Sequence, residues 1–308
     1  MAEALTSFEQ PVRALSAIDE GLNSLWNQIE QGDPKKPLCR TLTANLIAIT
    51  DSHGEADLRR TISELFEQHP CRAFLLVVEP RPLELEAHLT ARVRYRKRDR
   101  QTLLEQLDLR GGAEQLAKVP GILRPLIVSD LPVYLYWAMA LPRTCLAKIA
   151  GIADYNIVNS HLLKDPKEEI GRLGQVVGKE AIDLLSIQLR PWRRALAEAF
   201  ETFEWDSRIP TRVSIDAGAG NSAANLGGWL ATKLAAEINI HTHRDDTPLD
   251  EPISLSLEHG SVRIIITNEF DAHRLRIDVT LADRCLVPSF RVLPRRAISD
   301  LLGDAMEL

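Results

Sequence analysis

Two apolar runs set the first constraint on this chain. Arg40-Thr-Leu-Thr-Ala-Asn-Leu-Ile-Ala-Ile-Thr50 is strand-like, and Ala73-Phe-Leu-Leu-Val-Val78 is a continuous apolar run that suits a strand covered on both faces. Between them Leu58, Ile62, Leu65 and Phe66 recur at helical spacing, behind an Asp51-Ser-His-Gly turn in which Asp51 or Ser52 is placed to cap the helix. Strand, helix and strand in this order predict a βαβ unit with a parallel pair, and therefore an α/β chain.

The flanking patterns extend that unit. Apolar positions Val12, Leu15, Ile18, Leu22, Leu25, Trp26 and Ile29, read from Phe8 onward, predict a helix that docks on its own domain and stops at Gly32, Asp33 and Pro34. Residues 83–95 alternate apolar with polar, and a turn at Arg96 to Asp99 leads into a second strand, Gln101 to Leu109. Gly111 and Gly112 precede a helix near Ala113 to Leu123, followed by the apolar segments Leu126 to Val128 and Val133 to Trp137 and a short strand at Asn156 to Val158. A long helical register from Ile182 to Phe203 crosses Pro191, which must kink the helix or start a new one. The domain junction is placed in this region.

The remainder differs in kind. Thr211 to Asp216 reads as a strand and Ser222 to Ile238 as a helix; three alternating runs around Leu255, Ile264 and Ile277 have links short enough for an antiparallel meander. Ser289 to Val292 and an amphipathic end carrying Ile298, Leu301, Leu302 and Met306 close the chain. The expected architecture is an N-terminal mixed-sheet α/β domain over 1–178 and a smaller C-terminal α+β domain over 179–308 that contains the meander.

Charge and composition narrow the function classes. The 37 Lys+Arg against 43 Asp+Glu give a net charge of −6, which supplies no global field for a polyanion, so nucleic acid is disfavoured as a partner. The four cysteines, Cys39, Cys71, Cys145 and Cys285, are widely spaced and form no CxxC, which suggests neither a zinc knuckle nor a disulfide scaffold and fits a reducing cytoplasm. The first residues lack the basic end and apolar stretch of a secretory signal, and the most apolar segment, 122–142, is broken by Arg124, Asp130 and prolines. No membrane partner is expected.

Among constellations with chemistry, the sharpest is Ile215-Asp-Ala-Gly218-Ala-Gly220-Asn-Ser-Ala223, a GxGxxA turn between a strand and a helix. Gly218 and Gly220 would let backbone N–H groups approach a pyrophosphate, with Arg244 greeting a 2′-phosphate, but the acidic ribose ligand expected downstream is missing. The preferred reading is a structural turn with no cofactor. His241, His243, Asp245 and Asp246 have metal-capable chemistry without a third ligand implied by spacing, and read as a solvated strand end. Arg92, Arg94, Arg96, Lys97, Arg98 and Arg100 span a hairpin tip and read as a solvated basic face. Glu84 with Glu86 are surface carboxylates, and no GxSxG or other nucleophile arrangement is present. No catalytic constellation survives.

Trp137, Trp192, Arg193 and Arg194 are of the types that anchor protein interfaces, although Trp137 ends an apolar strand and Trp192 lies on an inward stripe, positions that favour the core. Arg72 and Asp130 are a candidate pair fixing strand ends, and are carried with the other four as candidate protein-binding residues.

Taken together, RTLTANLI (Arg40 to Ile47), HPCRA (His69 to Ala73), LIVSDLPVYLYW (Leu126 to Trp137), LRPWRRAL (Leu189 to Leu196) and GWLATKL (Gly228 to Leu234) resemble the glucose-6-phosphate dehydrogenase assembly protein family, the OpcA type. The family's pattern differs at Cys71 and Asn159, where it tends to carry serine and aspartate. The resemblance implies a two-part fold like the one above. It also implies a non-catalytic, cytoplasmic protein without a cofactor that binds glucose-6-phosphate dehydrogenase, favours its active form and so supports NADPH production in the oxidative pentose phosphate pathway. The alternative is an NAD(P)- or phosphosugar-binding enzyme that uses the Gly218-Ala-Gly220 turn.

Overall fold

A computed structural model describes the chain except for residues 1–4, 13–17, 19, 22, 23, 25, 26, 28–37, 40, 41, 97–99, 143–145, 219, 244–250 and 283. It is α/β, with two mixed sheets, and divides into two compact units: Met1–Ile182 together with Ile298–Leu308, and Asp183–Ala297.

The strands of the first unit are β1 (Leu5–Val12), β2 (Leu38–Cys39), β3 (Ala44–Asp51), β4 (Cys71–Glu79), β5 (Glu86–Arg96), β6 (Arg100–Gly112), β7 (Val133–Trp137), β8 (Tyr155–Val158) and β9 (Ile182–Asp183), in the order β1-β5-β6-β4-β3-β7-β8-β9 with β2 beside β6. From β6 to β8 neighbours are parallel, whereas β5 and β1 add on antiparallel. The chain builds outward from β3 through β4 to β6, then jumps back across β3 to lay down β7 and β8. That reversal is the topological switch point at which doubly wound sheets open a crevice beyond the carboxyl ends of their strands.

Local chemistry explains the central unit. Residues 44–50 of β3 are all buried, so the run carries no alternation, as expected for a strand sandwiched between layers. Helix α1 (Glu55–Leu65) lays Leu58, Ile62 and Leu65 on the sheet and forms the expected βαβ unit with parallel β3 and β4. Asp51 does not cap α1 directly; its Oδ1 accepts from the N–H groups of His53 and Gly54, both at 3.0 Å, and folds the turn ahead of the helix. Gly54 itself is required there, since a Cβ would sit 2.4 Å from Thr50 Oγ1.

Other segments depart from expectation. Phe8 to Val12 belong to β1, an edge strand paired with β5, rather than to a helix; helical backbone is found at residues 18, 20, 21, 24 and 27, with Ile18 buried. Phe8 and Val12 satisfy this strand and also continue the helical spacing of the apolar positions that follow. The expected helix at Ala113 to Leu123 is a 3₁₀ stretch, Ala113–Lys118, running into the short α2 (Val119–Leu123). Leu126 to Val128 form a turn, and α3 (Leu146–Ala150) and α4 (Pro166–Val177) complete the layers of this unit.

The second unit begins with α5 (Leu184–Gln188) and α6 (Arg190–Phe200), where Pro191 sits in the first turn of α6 and starts a new helix. Its sheet runs β11 (Glu237–Thr242), β10 (Thr211–Ala217), β12 (Pro252–His259), β13 (Val262–Glu269), β14 (Arg274–Leu281) and β15 (Arg284–Cys285), with β16 (Ser289–Val292) also on β14. From β12 to β14 it is the expected antiparallel meander. Helix α7 (Ser222–Leu234) is shorter than predicted: Ala235 leaves it in a left-handed conformation, and Ile238 lies in β11. Since β11 is parallel to β10, the segment around the glycine turn is itself a βαβ unit. Val213, Ile215, Leu255, Ile264, Ile266 and Ile277 form the core with Trp192, Leu196 and Leu226 from the helices.

The last helix, α8 (Ile298–Met306), belongs to the first unit and not to the second. It buries Leu301, Leu302 and Ala305; Ser299 Oγ donates to Glu64 Oε2 at 2.9 Å, and Tyr134 Oη donates to the Met306 carbonyl at 2.8 Å.

Candidate functional site

The carboxyl ends of β3, β4 and β6 carry the densest ionic cluster among the described residues. Glu55 opens α1 and Arg59 follows one turn later on the same face, while Asp108 and Arg110 alternate on β6 and so share a face. Arg59 Nη1 donates to Asp108 Oδ2 at 2.6 Å and Arg59 Nη2 to Glu55 Oε1 at 2.8 Å. Arg110 donates to Glu55 and to Glu79, the last residue of β4, and Gln106 Nε2 donates to Asp108 Oδ1 at 2.6 Å.

These contacts set the protonation states. Burial would raise the Glu55 pKa, but hydrogen bonds from Arg110 and Arg59 and their charges overcome it and hold the carboxyl below its ordinary value. Burial likewise disfavours charged Arg59, yet Asp108 and Glu55 raise its pKa. A cavity of about 540 Å³ lies alongside, lined by Arg59, Glu84, Glu86, His88, Asp108 and Arg110, and another of about 330 Å³ includes Glu79, Glu84, Gly112 and Glu114.

At the start of a helix that follows a parallel strand, free backbone N–H groups and nearby cations would serve a phosphate or dinucleotide. Here α1 begins with Glu55 and Asp57, and the two arginines within reach are already engaged by carboxylates of this chain. An incoming phosphate would meet negative charge. The cluster is built to neutralise itself.

The residues singled out from sequence are scattered. Arg72 pairs with Glu105, not with Asp130: its Nε donates to Glu105 Oε2 at 2.6 Å and its Nη1 to the Leu126 carbonyl at 2.7 Å. Asp130 sits exposed in a turn, with Ser129 Oγ donating to its Oδ1 at 3.3 Å. The expected pair fails because parallel register sets Arg72 opposite Glu105. Trp137 and Trp192, 0% and 1% exposed, are core residues and present no surface to a partner; the Trp137 indole donates to Asn156 Oδ1 at 3.1 Å. Arg193 is half-buried, donates to Asn225 Oδ1 at 3.0 Å and lies 5.3 Å from the Trp229 ring centroid; burial lowers its pKa. Of the six, Arg194 and Asp130 are exposed.

In the glycine turn, Gly218 is buried and Gly220 exposed, while Arg244 lies outside the described residues. Asp216, just ahead of the turn, accepts from Ser254 Oγ at 2.7 Å and stands 3.6 Å from His243. His241 and His243 are exposed, and the described residues contain no group of His, Cys, Asp or Glu able to hold a metal ion. Cys71 is buried, which pushes its thiol up to about 12, whereas Cys285 is exposed. Among the described residues no helix is long and apolar enough to cross a membrane.

The ionic cluster escaped sequence reading. Its one local trace is the Glu55, Arg59 spacing, and nothing in the sequence shows that β4 and β6 become neighbours.

Comparison with known proteins places these observations. Residues 62–175 match the family described as glucose-6-phosphate dehydrogenase subunit N-terminal domain, and residues 180–307 match the corresponding C-terminal domain. The chain is 33% identical over 178 residues to the OxPP cycle protein OpcA of Synechocystis sp., covering 54% of this chain and 37% of that protein. It is 26% identical over 260 residues to the OxPP cycle protein OpcA of Nostoc punctiforme, covering 81% and 51%. The chain thus spans about half or less of the length of these relatives. Levoglucosan dehydrogenase in complex with NADH and L-sorbose aligns with a TM-score of 0.42 at 10% identity over 82% of this chain and 79% of that one. A 3-ketoreductase from Actinomadura kijaniata, solved with NADP, aligns with a TM-score of 0.47 at 9% identity over 86% and 89%. Neither of these two likenesses bears on activity. With both of its parts matched in order, the chain belongs to the glucose-6-phosphate dehydrogenase assembly protein family, the OpcA type.

Proposed function

We propose that this protein is a non-catalytic assembly factor that binds glucose-6-phosphate dehydrogenase in the cytoplasm and favours its active form, thereby supporting NADPH production in the oxidative pentose phosphate pathway. The observation that supports the non-catalytic part is the ionic cluster at the carboxyl ends of the parallel strands: beside the start of α1, Glu55, Glu79 and Asp108 occupy Arg59 and Arg110. Family membership supports the partner. Activation then works by linkage: the factor binds the active conformation or oligomer more tightly than the inactive one, and the difference in affinity is all that shifts the population.

Size-exclusion chromatography with light scattering tests this directly, using this protein mixed with the dehydrogenase of the same organism and assaying rate across the peak. Co-elution with a raised rate is expected; separate elution with an unchanged rate overturns the reading. Arg194, exposed on α6, is the candidate contact among the predicted residues whose charge reversal tests the interface without disturbing the core.

A second reading, an NAD(P)- or phosphosugar-binding enzyme, draws on the parallel β10-α7-β11 unit around Gly218 and Gly220. Under it, NADP raises the melting temperature in a concentration-dependent way and Gly220→Val abolishes the shift.

A further inference from the structure

In the second unit, a cavity of about 490 Å³ lies where the end of α5, the starts of β12 and β14 and the segment after β16 meet; Gln188, Glu251, Asn268, Phe270, His273 and Arg295 line it. Its volume falls in the range of small-molecule sites. None of these residues is among the candidate site residues read from the sequence.

The polar groups on its wall are ordered. Gln188 Nε2 donates to Glu251 Oε1 at 3.2 Å, and Asn268 Nδ2 donates to Glu251 Oε2 and to the Pro252 carbonyl, each at 3.4 Å. Glu251 is thereby held between two carboxamides. Asn268 is 5% exposed, yet its Oδ1 accepts no hydrogen bond among the described residues. A buried orphan acceptor carries a standing cost that a hydroxyl donor would remove. The lining also carries the opposite charge: Arg295 is exposed, with no ion pair among the described residues, and His273, likewise exposed, lines the same cavity. The His273 backbone is left-handed, at φ 47°, fixed by its N–H donating to the Phe270 carbonyl and its carbonyl accepting from Leu293 N–H.

Acceptors on the wall and a free cation in the same lining match one ligand chemistry: hydroxyl groups at one end and an anion at the other. We propose that this cavity binds a small phosphorylated polyol, with Arg295 and His273 on the phosphate and Glu251 and Asn268 accepting from the hydroxyls. An unphosphorylated sugar lacks the group that Arg295 recognises, and inorganic phosphate lacks the carbon-borne hydroxyls that would reach the wall while the phosphate stays on Arg295.

Calorimetric titration of the full chain with glucose 6-phosphate, glucose and inorganic phosphate as probes tests this. Saturable binding of glucose 6-phosphate is expected, at least about tenfold tighter than either control, and Arg295→Ala weakens it about tenfold, the loss of one charge-assisted contact. Arg295 is exposed, so that variant folds; Gln188→Ala, which frees one arm of Glu251, gives an independent loss. Absence of saturable binding up to about 10 mM, far above the concentrations of most metabolites, overturns the proposal. So does equal affinity in wild type and Arg295→Ala. Inorganic phosphate binding as tightly as the sugar phosphate also overturns it, because the site then reads charge alone.

Discussion

Asn45 and Val128 hold each other through a reciprocal pair of hydrogen bonds: Asn45 Nδ2 donates to the Val128 carbonyl at 3.0 Å, and Val128 N–H donates to Asn45 Oδ1 at 2.9 Å. The same Nδ2 also donates to the Leu131 carbonyl at 3.2 Å. A strand residue with no exposure thus ties down the turn that feeds β7. Asn45→Leu keeps the volume but removes the partner of the half-buried Val128 N–H and of the Leu131 carbonyl, while the Val128 carbonyl keeps Leu131 N–H, so the urea unfolding of the first unit is expected to lose about 1–3 kcal/mol.

Arg72 and Glu105 test the cost of an unpaired buried charge. Glu105 is 3% exposed and its carboxylate is held by the Arg72 guanidinium. Arg72→Met leaves that charge alone and should cost about 3 kcal/mol. Adding Glu105→Met should recover most of the loss in a denaturation series, and a double variant no better than the single would refute the pairing as the cause.

Glu55 makes stability depend on acid. Its folded pKa lies below the ordinary value, so the unfolded chain takes up the proton first. The contribution is complete above the ordinary carboxylate pKa and is lost as pH falls below about 4.5 through the folded value. Glu55→Gln is expected to cost about 1 kcal/mol at neutral pH, a value kept small by the partial exposure of the arginines, and to flatten the acid limb of the melting-temperature profile.

Two glycines give an opposed pair. A Cβ on Gly112 would lie 3.1 Å from Arg81 O and from Leu83 N, backbone atoms that yield only if the turn moves. Gly121, in α2, has nothing within 4 Å of its Cβ position. Gly112→Ala should therefore lower stability by about 1–3 kcal/mol, whereas Gly121→Ala should leave it unchanged or raise it by up to about 1 kcal/mol. Equal melting shifts in both would refute the steric account.

What could be read from sequence depended on the range of the interaction. β3 and β4 were legible because both faces are covered, and a doubly covered strand writes itself as an unbroken apolar run. The new helix at Pro191 was equally local. β1 was not, because Phe8 and Val12 satisfy a strand on an edge and also continue the helical spacing of Leu15 and Ile18. Ile238 fitted the stripe of α7, and only the left-handed Ala235 takes it out of the helix. The partners of Arg72 and of Arg110 come from strand register and from a sheet order that local periodicity does not encode.

Helix α8 carries a consequence for how the molecule is made. Helix α8, whose Ser299 is hydrogen-bonded to Glu64 of α1, belongs to the first unit, yet all of Asp183–Ala297 is translated before it exists. At about 5–20 residues per second, that interval lasts roughly 6–23 s, during which the first unit lacks its last helix. The first unit is therefore completed only by the last residues made, after every residue of the second unit has been added.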